Sequence, residues 1–357
     1  MKTLAIIAAA AFQVLVLVYM AGEREWILHS GRTVYLRTAP IDPRDAMRGE
    51  YVRLSYEISR VPASLCRDGL VGSKGVLKPV KPDTCVYASL RVNEDGLAEL
   101  VSLSDRRPAE GLFLKGYATG PWTSGYRTYR AAPNLDVRYG IEAYFMQQGK
   151  AAALDKSRLR EGIQVPLELA VAVSPGGTAV LKGYRWSSLG IGLELEQSPA
   201  ERGRPVQGGS PLAATVRLLN AGDKDLAVVD LPGSRSLAMV PDSVPWGQEN
   251  TWRWAHEDES QPRPEPAHVI VLKPGQTHKI RVDFKDPAWF IVNARRPKSA
   301  KPLPVSLADR INGLDWSARF RFEYRPPDRA ACQGLPHADL IWHGRLPSAA
   351  FSGRGVD

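Results

Sequence analysis

The sequence predicts a mainly β protein: an N-terminal transmembrane helix, then a β-rich module with a short helix, then an antiparallel β-sandwich. Three observations favour this class. Segments after residue 30 alternate apolar and polar side chains with a period of two, which is typical of half-buried strands. Glycine and proline, which number 31 and 28 among 357 residues, supply turns between short strands. With 44% hydrophobic and 24% charged residues, the chain is too apolar to remain disordered.

The first predicted element is an uncharged stretch over residues 4–21. As a helix, these 18 residues would be about 27 Å long, which approaches the thickness of a bilayer core. A retained signal anchor, residues 1–22, is favoured over a cleaved signal peptide because Tyr19 and Met20 stand where cleavage requires a small residue. Lys2 precedes the stretch and a net negative charge follows it, which predicts a cytoplasmic N terminus with the rest of the chain outside.

A β-rich module is predicted over residues 23–186. Its predicted strands follow the period-two pattern: 51–58, 86–92, 97–103, 112–114, 165–173 and 179–186. Turn signals at 93–96 and 175–178 separate neighbouring strands, and the first of them predicts a hairpin. The short helix is predicted within residues 139–160, a stretch rich in Ala, Leu, Lys and Arg.

The β-sandwich is predicted over residues 187–345, followed by a flexible tail at 346–357. Its strands are predicted at 212–218, 226–229, 268–272, 280–284 and 316–324. Segments 268–272 and 280–284 flank the turn signal at 273–276, so we expect them to pair as a hairpin. Short strands without alternating helices favour an antiparallel sandwich.

Three segments are predicted to be loops because they are polar or rich in proline: 199–211, 244–267 and 293–304. The second segment carries Trp246, Trp252 and Trp254 in a setting without a strand pattern. Two interpretations stay open. These side chains either pack over the end of the sandwich or dock on a partner or a sugar.

The three cysteines fit an oxidising compartment. Cys66 and Cys85 flank a loop rich in Gly, Pro and Lys, and a disulfide between them would stabilise the fold by about 3 kcal/mol. Cys332 is then left over, and three free thiols are the alternative. No pair has the C-x-x-C spacing, so neither a zinc site nor thioredoxin-like chemistry is predicted.

The sequence lacks the motifs of common catalytic and metal sites. No H-x-x-x-H or H-E-x-x-H pair occurs among the six histidines, which are His29, His256, His268, His278, His337 and His343. There is no G-x-S-x-G, P-loop or strand-linked G-x-G-x-x-G motif. We therefore predict a non-enzymatic protein with no cofactor and no metal. The alternative is an envelope hydrolase or carbohydrate-binding protein that uses the cleft between the modules, because distant residues can converge in space.

The positive charge is unevenly distributed along the chain. The formal net charge is +9, and residues 1–186 contribute 25 basic and 18 acidic side chains, a net +7. Runs of Lys and Arg are no longer than two, which argues against a nucleic-acid groove. An excess of positive charge in the module next to the membrane suits anionic lipid headgroups instead.

Residues 36–58 read LRTAPIDPRDAMRGEYVRLSYEI, and this segment resembles the GDYXXLXY family of bacterial membrane-anchored proteins. Gly49, Tyr51, Leu54 and Tyr56 match the Gly-Asp-Tyr-x-x-Leu-x-Tyr motif, and Glu50 replaces its Asp. The motif follows an element formed by Pro40, Asp42, Pro43, Arg44 and Asp45, with Arg48 after it. Residues 138–145 resemble a second block of the family, and the resemblance covers residues 1–186.

The resemblance implies a short inner-membrane anchor and an extracytoplasmic domain without an established activity. It also implies a multi-pass inner-membrane protein as a partner, and it leaves the oligomeric state open. The motif is interpreted either as a structural corner that sets the register of a strand or as a charged docking surface for that partner. The candidate residues for docking are Asp42, Pro43, Arg44, Asp45, Arg48, Gly49, Glu50, Tyr51, Leu54 and Tyr56.

The second module has a resemblance of its own. Residues 219–228 and 272–284 are similar to segments of immunoglobulin-like bacterial envelope domains. Such segments recur in many sandwiches, so this resemblance bears on fold and not on activity.

Overall fold

The computed structural model describes residues 2–38, 51–72, 77–93, 95–119, 134–145, 159–160, 162–197, 211–243, 252–254, 260–293, 304–308, 319–353 and 355–356. The chain forms two compact units. Unit 1 comprises Met1–Ala153 and Leu167–Arg185, and unit 2 comprises Leu154–Pro166 and Trp186–Asp357. The chain therefore enters unit 2 briefly, returns to unit 1, and passes back into unit 2 for the remainder of its length.

Helix α1 (Lys2–Ser30) extends eight residues beyond the predicted anchor. Its last turn carries Ile27, which is buried, and the helix ends where the Gly31 N–H donates a hydrogen bond of 2.8 Å to the Ile27 carbonyl. A second, short helix is α2 (Arg329–Cys332). No helix within the described residues is both long enough and apolar enough to cross a membrane.

The strands are short and occur along both units. Those up to residue 186 are β1 (Arg32–Arg37), β2 (Tyr51–Arg53), β3 (Arg60–Pro62), β4 (Cys85–Val92), β5 (Ala98–Ser104), β6 (Leu112–Ala118), β7 (Asn134–Arg138), β8 (Ala143–Phe145), β9 (Leu159–Arg160), β10 (Ile163–Gln164), β11 (Leu167–Val173) and β12 (Ala179–Trp186). Those after it are β13 (Leu189–Gln197), β14 (Pro211–Asn220), β15 (Leu226–Val229), β16 (Leu237–Ser243), β17 (Trp252–Trp254), β18 (Val269–Leu272), β19 (Thr277–Asp283), β20 (Phe290–Asn293), β21 (Pro304–Ser306), β22 (Arg319–Tyr324), β23 (Leu346–Pro347), β24 (Phe351–Ser352) and β25 (Gly355–Val356). The prediction of a mainly β, antiparallel protein is confirmed.

Unit 1 contains two sheets and a ribbon. The sheets have the strand orders β1-β11-β12 and β3-β7-β6-β4-β5, and the ribbon pairs β2 with β8. The predicted hairpin over β4 and β5 is confirmed, since Tyr87 pairs with Ser104 and Val92 with Ala98. The strand predicted at 165–173 begins at Leu167, and it is buried on both faces where a half-buried strand was expected.

Two predictions for unit 1 need correction. Residues 51–58 do not form one strand, because β2 ends at Arg53 and a 3₁₀ turn occupies Glu57–Ser59. Leu54, Tyr56 and Ile58 are nevertheless all buried, as the alternating pattern predicts. The helix predicted at 139–160 is not seen at either described end, where β8 and β9 are strands; residues 146–158 lie outside the described part.

Unit 2 is built around a core shared by two sheets. One sheet has the order β19-β14-β13-β10-β9, and the other has the order β16-β22-β24-β25 with β23 beside β22. Buried side chains of both sheets belong to one apolar cluster. Two sheets that share a core are typical of sandwich packing. The immunoglobulin-like assignment stays a prediction.

The hairpin predicted at 268–284 is wrong, although both of its strands exist. β18 pairs with β15 and β19 pairs with β14, so the turn between them passes from one sheet to another. Asn220 stabilises this corner: its N–H donates to the Gln276 carbonyl and its own carbonyl accepts from the Gly275 N–H. The side-chain amide of Asn220 is fully buried and donates to the Leu272 carbonyl at 2.8 Å.

Two further expectations for unit 2 are overturned. The described residues of 346–357 are not a flexible tail, because β23, β24 and β25 extend the sheet and Phe351 is fully buried in the core. Trp252 and Trp254 lie in a strand, β17, which pairs with β20. Trp246 and Trp316 lie outside the described residues.

Candidate functional site

The two sequence blocks that carry the family resemblance meet in space as one antiparallel ribbon. Tyr51 pairs with Phe145 and Arg53 pairs with Ala143, which aligns β2 with β8. Directly after β2, the Leu54 N–H donates a hydrogen bond of 2.7 Å to the Glu142 carbonyl. We call this element, residues 51–56 with 139–145, the motif ribbon.

Two buried tyrosines fasten the motif ribbon reciprocally. The Tyr56 hydroxyl donates to the Ile141 carbonyl at 2.7 Å, and the Tyr139 hydroxyl donates to the Ile58 carbonyl at 2.8 Å. Burial raises the pKa of both phenols well above their usual range, and the nearby charge of Glu142 adds to this effect. Both hydroxyls therefore stay protonated donors at neutral pH. We call this pair the tyrosine clasp.

Glu142 closes the turn that connects the two halves of the second block. Its carboxylate accepts hydrogen bonds from the backbone N–H groups of Tyr139 and Gly140, the latter at 2.9 Å. Gly140 has a φ of +79°, a conformation that a residue with a Cβ adopts at a cost. Sequence reasoning did not assign this role, but the Gly-x-Glu spacing after a tyrosine is the signal that could have found it.

The segment between β1 and the motif ribbon starts and ends on fixed residues. The Thr38 N–H and the Thr38 hydroxyl both donate to the Leu167 carbonyl at 2.9 Å. Thr38 also forms an isolated antiparallel bridge with Tyr56. Residues 39–50, which we call the motif loop, connect Thr38 to β2 and lie outside the described residues.

Most of the predicted docking residues fall on the motif loop. Tyr51 is the first residue of β2, and Leu54 and Tyr56 are buried, so the latter two act in packing and hydrogen bonding. Burial of both agrees with the corner interpretation for this half of the motif. The remaining candidates lie outside the described residues: Asp42, Pro43, Arg44, Asp45, Arg48, Gly49 and Glu50.

A buried charge network lies next to the base of the motif loop. Glu168 accepts from the Arg37 guanidinium at 3.1 Å through one carboxylate oxygen and from the Arg185 guanidinium at 2.8 Å through the other. The side chains of Arg37 and Glu168 are only 3% and 5% exposed. Arg185 also stacks on the Tyr35 ring at 3.6 Å from its centre and donates to the Asp95 carbonyl.

The sequence carried a signal for this network that was missed. Glu168 is a charged residue inside the otherwise apolar strand β11, and Arg37 stands opposite it at the end of β1. A charged side chain in a strand buried on both faces requires a partner. Opposite charges on paired strands, once the register is known, identify that partner.

The surface of α1 is apolar over a long stretch. All seven residues from Val14 to Met20 have exposed side chains, of which Tyr19 is 71% exposed. Seven consecutive helical positions cover the whole circumference of a helix, because each adds about 100° of rotation. Further along the helix, Trp26 is 57% exposed while Ile27 is buried.

The predicted disulfide is not formed, and all three cysteines are free thiols. Cys66 is buried, and its backbone forms an isolated parallel β-bridge with Leu103. Its side chain therefore lies on the core side of the sheet, like that of Leu103. Cys85 alternates along β4 with the buried residues Val86 and Ala88, and therefore faces the opposite side. Since the sheet separates the two side chains, they do not meet.

The described residues hold no cluster of three His, Cys, Asp or Glu side chains that could bind a metal ion. The polar groups of the motif ribbon are directed at backbone atoms. This arrangement fixes the position of the backbone in the motif ribbon.

Residues 13–183 match the family model described as GDYXXLXY protein. The matched segment, 171 of the 357 residues, covers most of unit 1 and contains the motif ribbon. Residues 13–183 are thus a GDYXXLXY segment that follows the pattern of that family. The resemblance read from residues 36–58 and 138–145 is thereby confirmed, and the match ends close to the end of unit 1 at Arg185. No curated protein and no solved structure matches the chain.

Proposed function

We propose that this protein is a non-enzymatic, membrane-anchored component of the bacterial cell envelope that binds a membrane protein through its motif loop. In this proposal α1 anchors the chain in the inner membrane. Its N terminus is cytoplasmic, and unit 2 and the part of unit 1 that follows α1 lie on the other side of the membrane. The family match over residues 13–183 is the starting point, and three properties of unit 1 support the finer statement.

The anchor is supported by the apolar surface of α1. Large apolar side chains that surround a helix on every side call for burial in a protein core or in lipid. Residues 4–21 contain no charged residue, and Lys2 before them and the acidic residues Glu23 and Glu25 after them favour a cytoplasmic N terminus. Trp26 suits the headgroup region, where tryptophan is enriched.

The proximity of unit 1 to the membrane is supported by the continuity of α1. Residues 22–30 continue the helix beyond the predicted anchor, and Ile27 packs into unit 1. Ten helical residues from Ala21 to Ser30 span only about 15 Å. Unit 1, with 22 basic and 16 acidic side chains and hence a net charge of +6, would thus be held within reach of anionic headgroups and of neighbouring membrane proteins.

The observation that carries the docking proposal is the fixed base of the motif loop. Thr38 on one side and the motif ribbon on the other hold the ends of a segment with three acidic and two basic residues. Rigid scaffolds commonly present binding residues on the loops that they hold in place. A fixed base also lowers the entropy that is lost when such a loop binds.

The test of docking is a double charge reversal in the full-length protein, Asp45→Lys with Arg48→Glu, followed by affinity capture from membranes and quantitative mass spectrometry. We expect the wild-type protein to recover a multi-pass membrane protein that the variant loses, while the thermal unfolding of unit 1 is unchanged. The matched control is Arg91→Glu with Glu99→Lys, an exposed ion pair far along the sequence from the motif loop. Recovery of the same partner by the variant would overturn the docking proposal, and unfolding of the variant would favour the structural corner.

The anchor has a separate test. After alkaline carbonate extraction we expect the full-length protein to remain in the membrane pellet, and a variant that lacks residues 2–22 to appear in the supernatant. Release of the full-length protein would refute the anchor without bearing on the tyrosine clasp.

A further inference from the structure

We propose that unit 2 binds an extended peptide strand along the free edge of β19. This strand is the outermost one in the order β19-β14-β13-β10-β9, so within the described residues it has a strand neighbour on one side only. The proposal concerns unit 2 alone and does not depend on the motif loop or on the anchor.

The register of β19 determines which backbone groups face the edge. The Phe284 N–H donates to the Leu212 carbonyl, and the Asn220 N–H donates to the Gln276 carbonyl, so the even-numbered residues face β14. In an antiparallel ladder the alternate residues direct their N–H and C=O groups the other way. The outward groups are therefore those of Thr277, Lys279, Arg281 and Asp283.

Part of this outward row is unoccupied. The Asp283 carbonyl accepts from the Asp286 N–H, and the Arg281 carbonyl accepts from the Ser234 hydroxyl at 3.3 Å. The outward groups of Thr277 and Lys279 form no hydrogen bond with the described part of the chain. Because such groups repeat at every second residue, they are complementary to the backbone of another extended strand.

A pocket of about 410 Å³ lies beside this edge. One wall is β19 and the other is the segment from Asp230 to Ser234. Leu231, Ile280 and Trp289 reach the floor of the pocket, where each exposes only a small part of an otherwise buried apolar side chain. An extended peptide directs alternate side chains to the same face, so every second residue of a bound strand could place an apolar side chain here.

The second wall is held in place by hydrogen bonds of its own. The Asp230 N–H donates to the His268 carbonyl, the Asp230 carboxylate pairs with the His278 ring at 2.8 Å, and the Leu231 N–H donates to the Ser236 hydroxyl. Gly233 and Ser234 then turn the chain with positive φ values of +66° and +56°. The pocket is thus bounded by two fixed walls, and Ser234 closes it near Arg281.

The charges along the edge select the kind of strand that fits. Lys279 is exposed and has no ion pair with any described residue, whereas Arg281 is paired with Glu196. A strand that places a carboxylate opposite Lys279 would supply the missing partner, because opposite charges across a ladder are favourable. The occupant is an extended peptide of another protein, with a carboxylate opposite Lys279 and an apolar residue beside it. A second copy of this chain could instead set Arg281 opposite Asp283, and self-association of the full-length protein through this edge would overturn the assignment to another protein.

The test uses the full-length protein in detergent and a displayed library of ten-residue peptides. We expect enriched sequences that combine an acidic residue with an apolar neighbour. Each is then resynthesised in two forms, unmodified and N-methylated on alternate residues. Since N-methylation removes the donors needed for strand pairing, we expect it to weaken binding by about tenfold or more.

Two variants locate the site on β19. Lys279→Pro removes the outward N–H while leaving the ladder with β14 intact, and Lys279→Glu reverses the charge without changing the backbone. We expect both to lower the affinity for the selected peptides by about tenfold, with Lys273→Glu, which lies in the preceding turn, as the matched control. Failure to enrich any peptide, or binding that is indifferent to N-methylation and to Lys279→Glu, would overturn the proposal even if Lys279→Pro does not fold.

Discussion

The motif ribbon of unit 1 and the core of unit 2 are held together by different chemistry. In the ribbon, two buried hydroxyl groups and the half-buried carboxylate of Glu142 are directed at particular backbone atoms, and the Arg37–Glu168–Arg185 network lies next to it. In unit 2, the centre of the core is a group of aromatic rings. Phe322 stacks on Phe351 at 5.1 Å between ring centres.

The two kinds of interaction have different consequences: directed hydrogen bonds specify the position of the backbone, and apolar burial supplies stability. Apolar burial is favourable but carries no direction, so a core of this kind tolerates small shifts of its strands. Buried hydrogen bonds are satisfied in one geometry only, and they are costly when that geometry is lost. A loop whose ends must be placed accurately is therefore better held by the polar arrangement found in unit 1.

The largest effect is expected from the aromatic core. Phe322→Ala removes a fully buried ring that contacts Phe351 and Trp289, and we expect a loss of about 5 kcal/mol in the unfolding free energy of unit 2. Chemical denaturation followed by tryptophan fluorescence measures this loss. Val356→Ala, which truncates a 39% exposed side chain, is the control and should change little. An equal destabilisation of unit 1 would contradict the separation of the two cores.

The next effect tests the charge network of unit 1. Glu168→Ala removes the carboxylate that both guanidinium groups share, and loss of one partner of a buried ion pair costs about 3 kcal/mol. Thermal and chemical unfolding of unit 1 measure it. Glu99→Ala breaks the exposed pair with Arg91 and should cost less than about 1 kcal/mol. Similar losses in both variants would mean that the buried network contributes no more than a surface pair.

A smaller effect is expected from the tyrosine clasp. Tyr56→Phe leaves the buried Ile141 carbonyl without its donor, which should cost about 1–2 kcal/mol. Hydrogen exchange is the more specific measurement, because faster exchange should be confined to the motif ribbon. Tyr117→Phe, at an exposed tyrosine of the same unit, is the control. A double-mutant cycle with Tyr139→Phe should show coupling between the two hydroxyls.

The clasp also predicts a pH dependence. The pKa of Tyr56 and of Tyr139 is raised in the folded state, so their contribution is fully present below the ordinary phenol pKa of about 10 and is lost as the pH rises above it. Unit 1 should therefore lose stability in alkali. Tyr56→Phe should make that loss less steep than in the wild-type protein, as measured by denaturation at a series of alkaline pH values.

The contrast between the units also explains which elements could be predicted from the sequence and which could not. Strands with a polar face, such as β4 and β22, were predicted because their alternation is visible in the residues themselves. The burial of Leu54, Tyr56 and Ile58 was predicted for the same reason, but the end of β2 was not. The chain leaves the strand where Leu54 bonds to Glu142, a residue 88 positions away, and no local pattern reports such a contact.

The other wrong predictions concern which strands pair with each other and the structure of the last residues of the chain. The pattern located β18 and β19 but not their partners, because the corner at Asn220 depends on a buried amide that reaches the Leu272 carbonyl. The last residues appeared to be a tail because β23, β24 and β25 are each too short to show a period. Among the docking candidates, Leu54 and Tyr56 could be assigned to packing from their pattern, and both are buried. A docking role for the motif loop stays a prediction.

The smallest effect is expected at Cys85, and it separates the free-thiol structure from the disulfide that the sequence allowed. Cys85→Ala should change the unfolding free energy by less than about 0.5 kcal/mol, because the side chain is half-buried and unbridged. If Cys66 and Cys85 were bonded, the same substitution would cost about 3 kcal/mol.

In the same variant, the two remaining thiols report on the two units separately. Cys66 is buried in unit 1 and Cys332 in unit 2, and burial raises the pKa of both, that of Cys66 to about 11. We expect neither thiol to react with a thiol reagent in the native protein, and each to react when its own unit opens in denaturant. Labelling of Cys66 and Cys332 at one common denaturant midpoint would show that unit 1 and unit 2 unfold together. The two units would then differ in how they fix the position of the backbone, and not in stability.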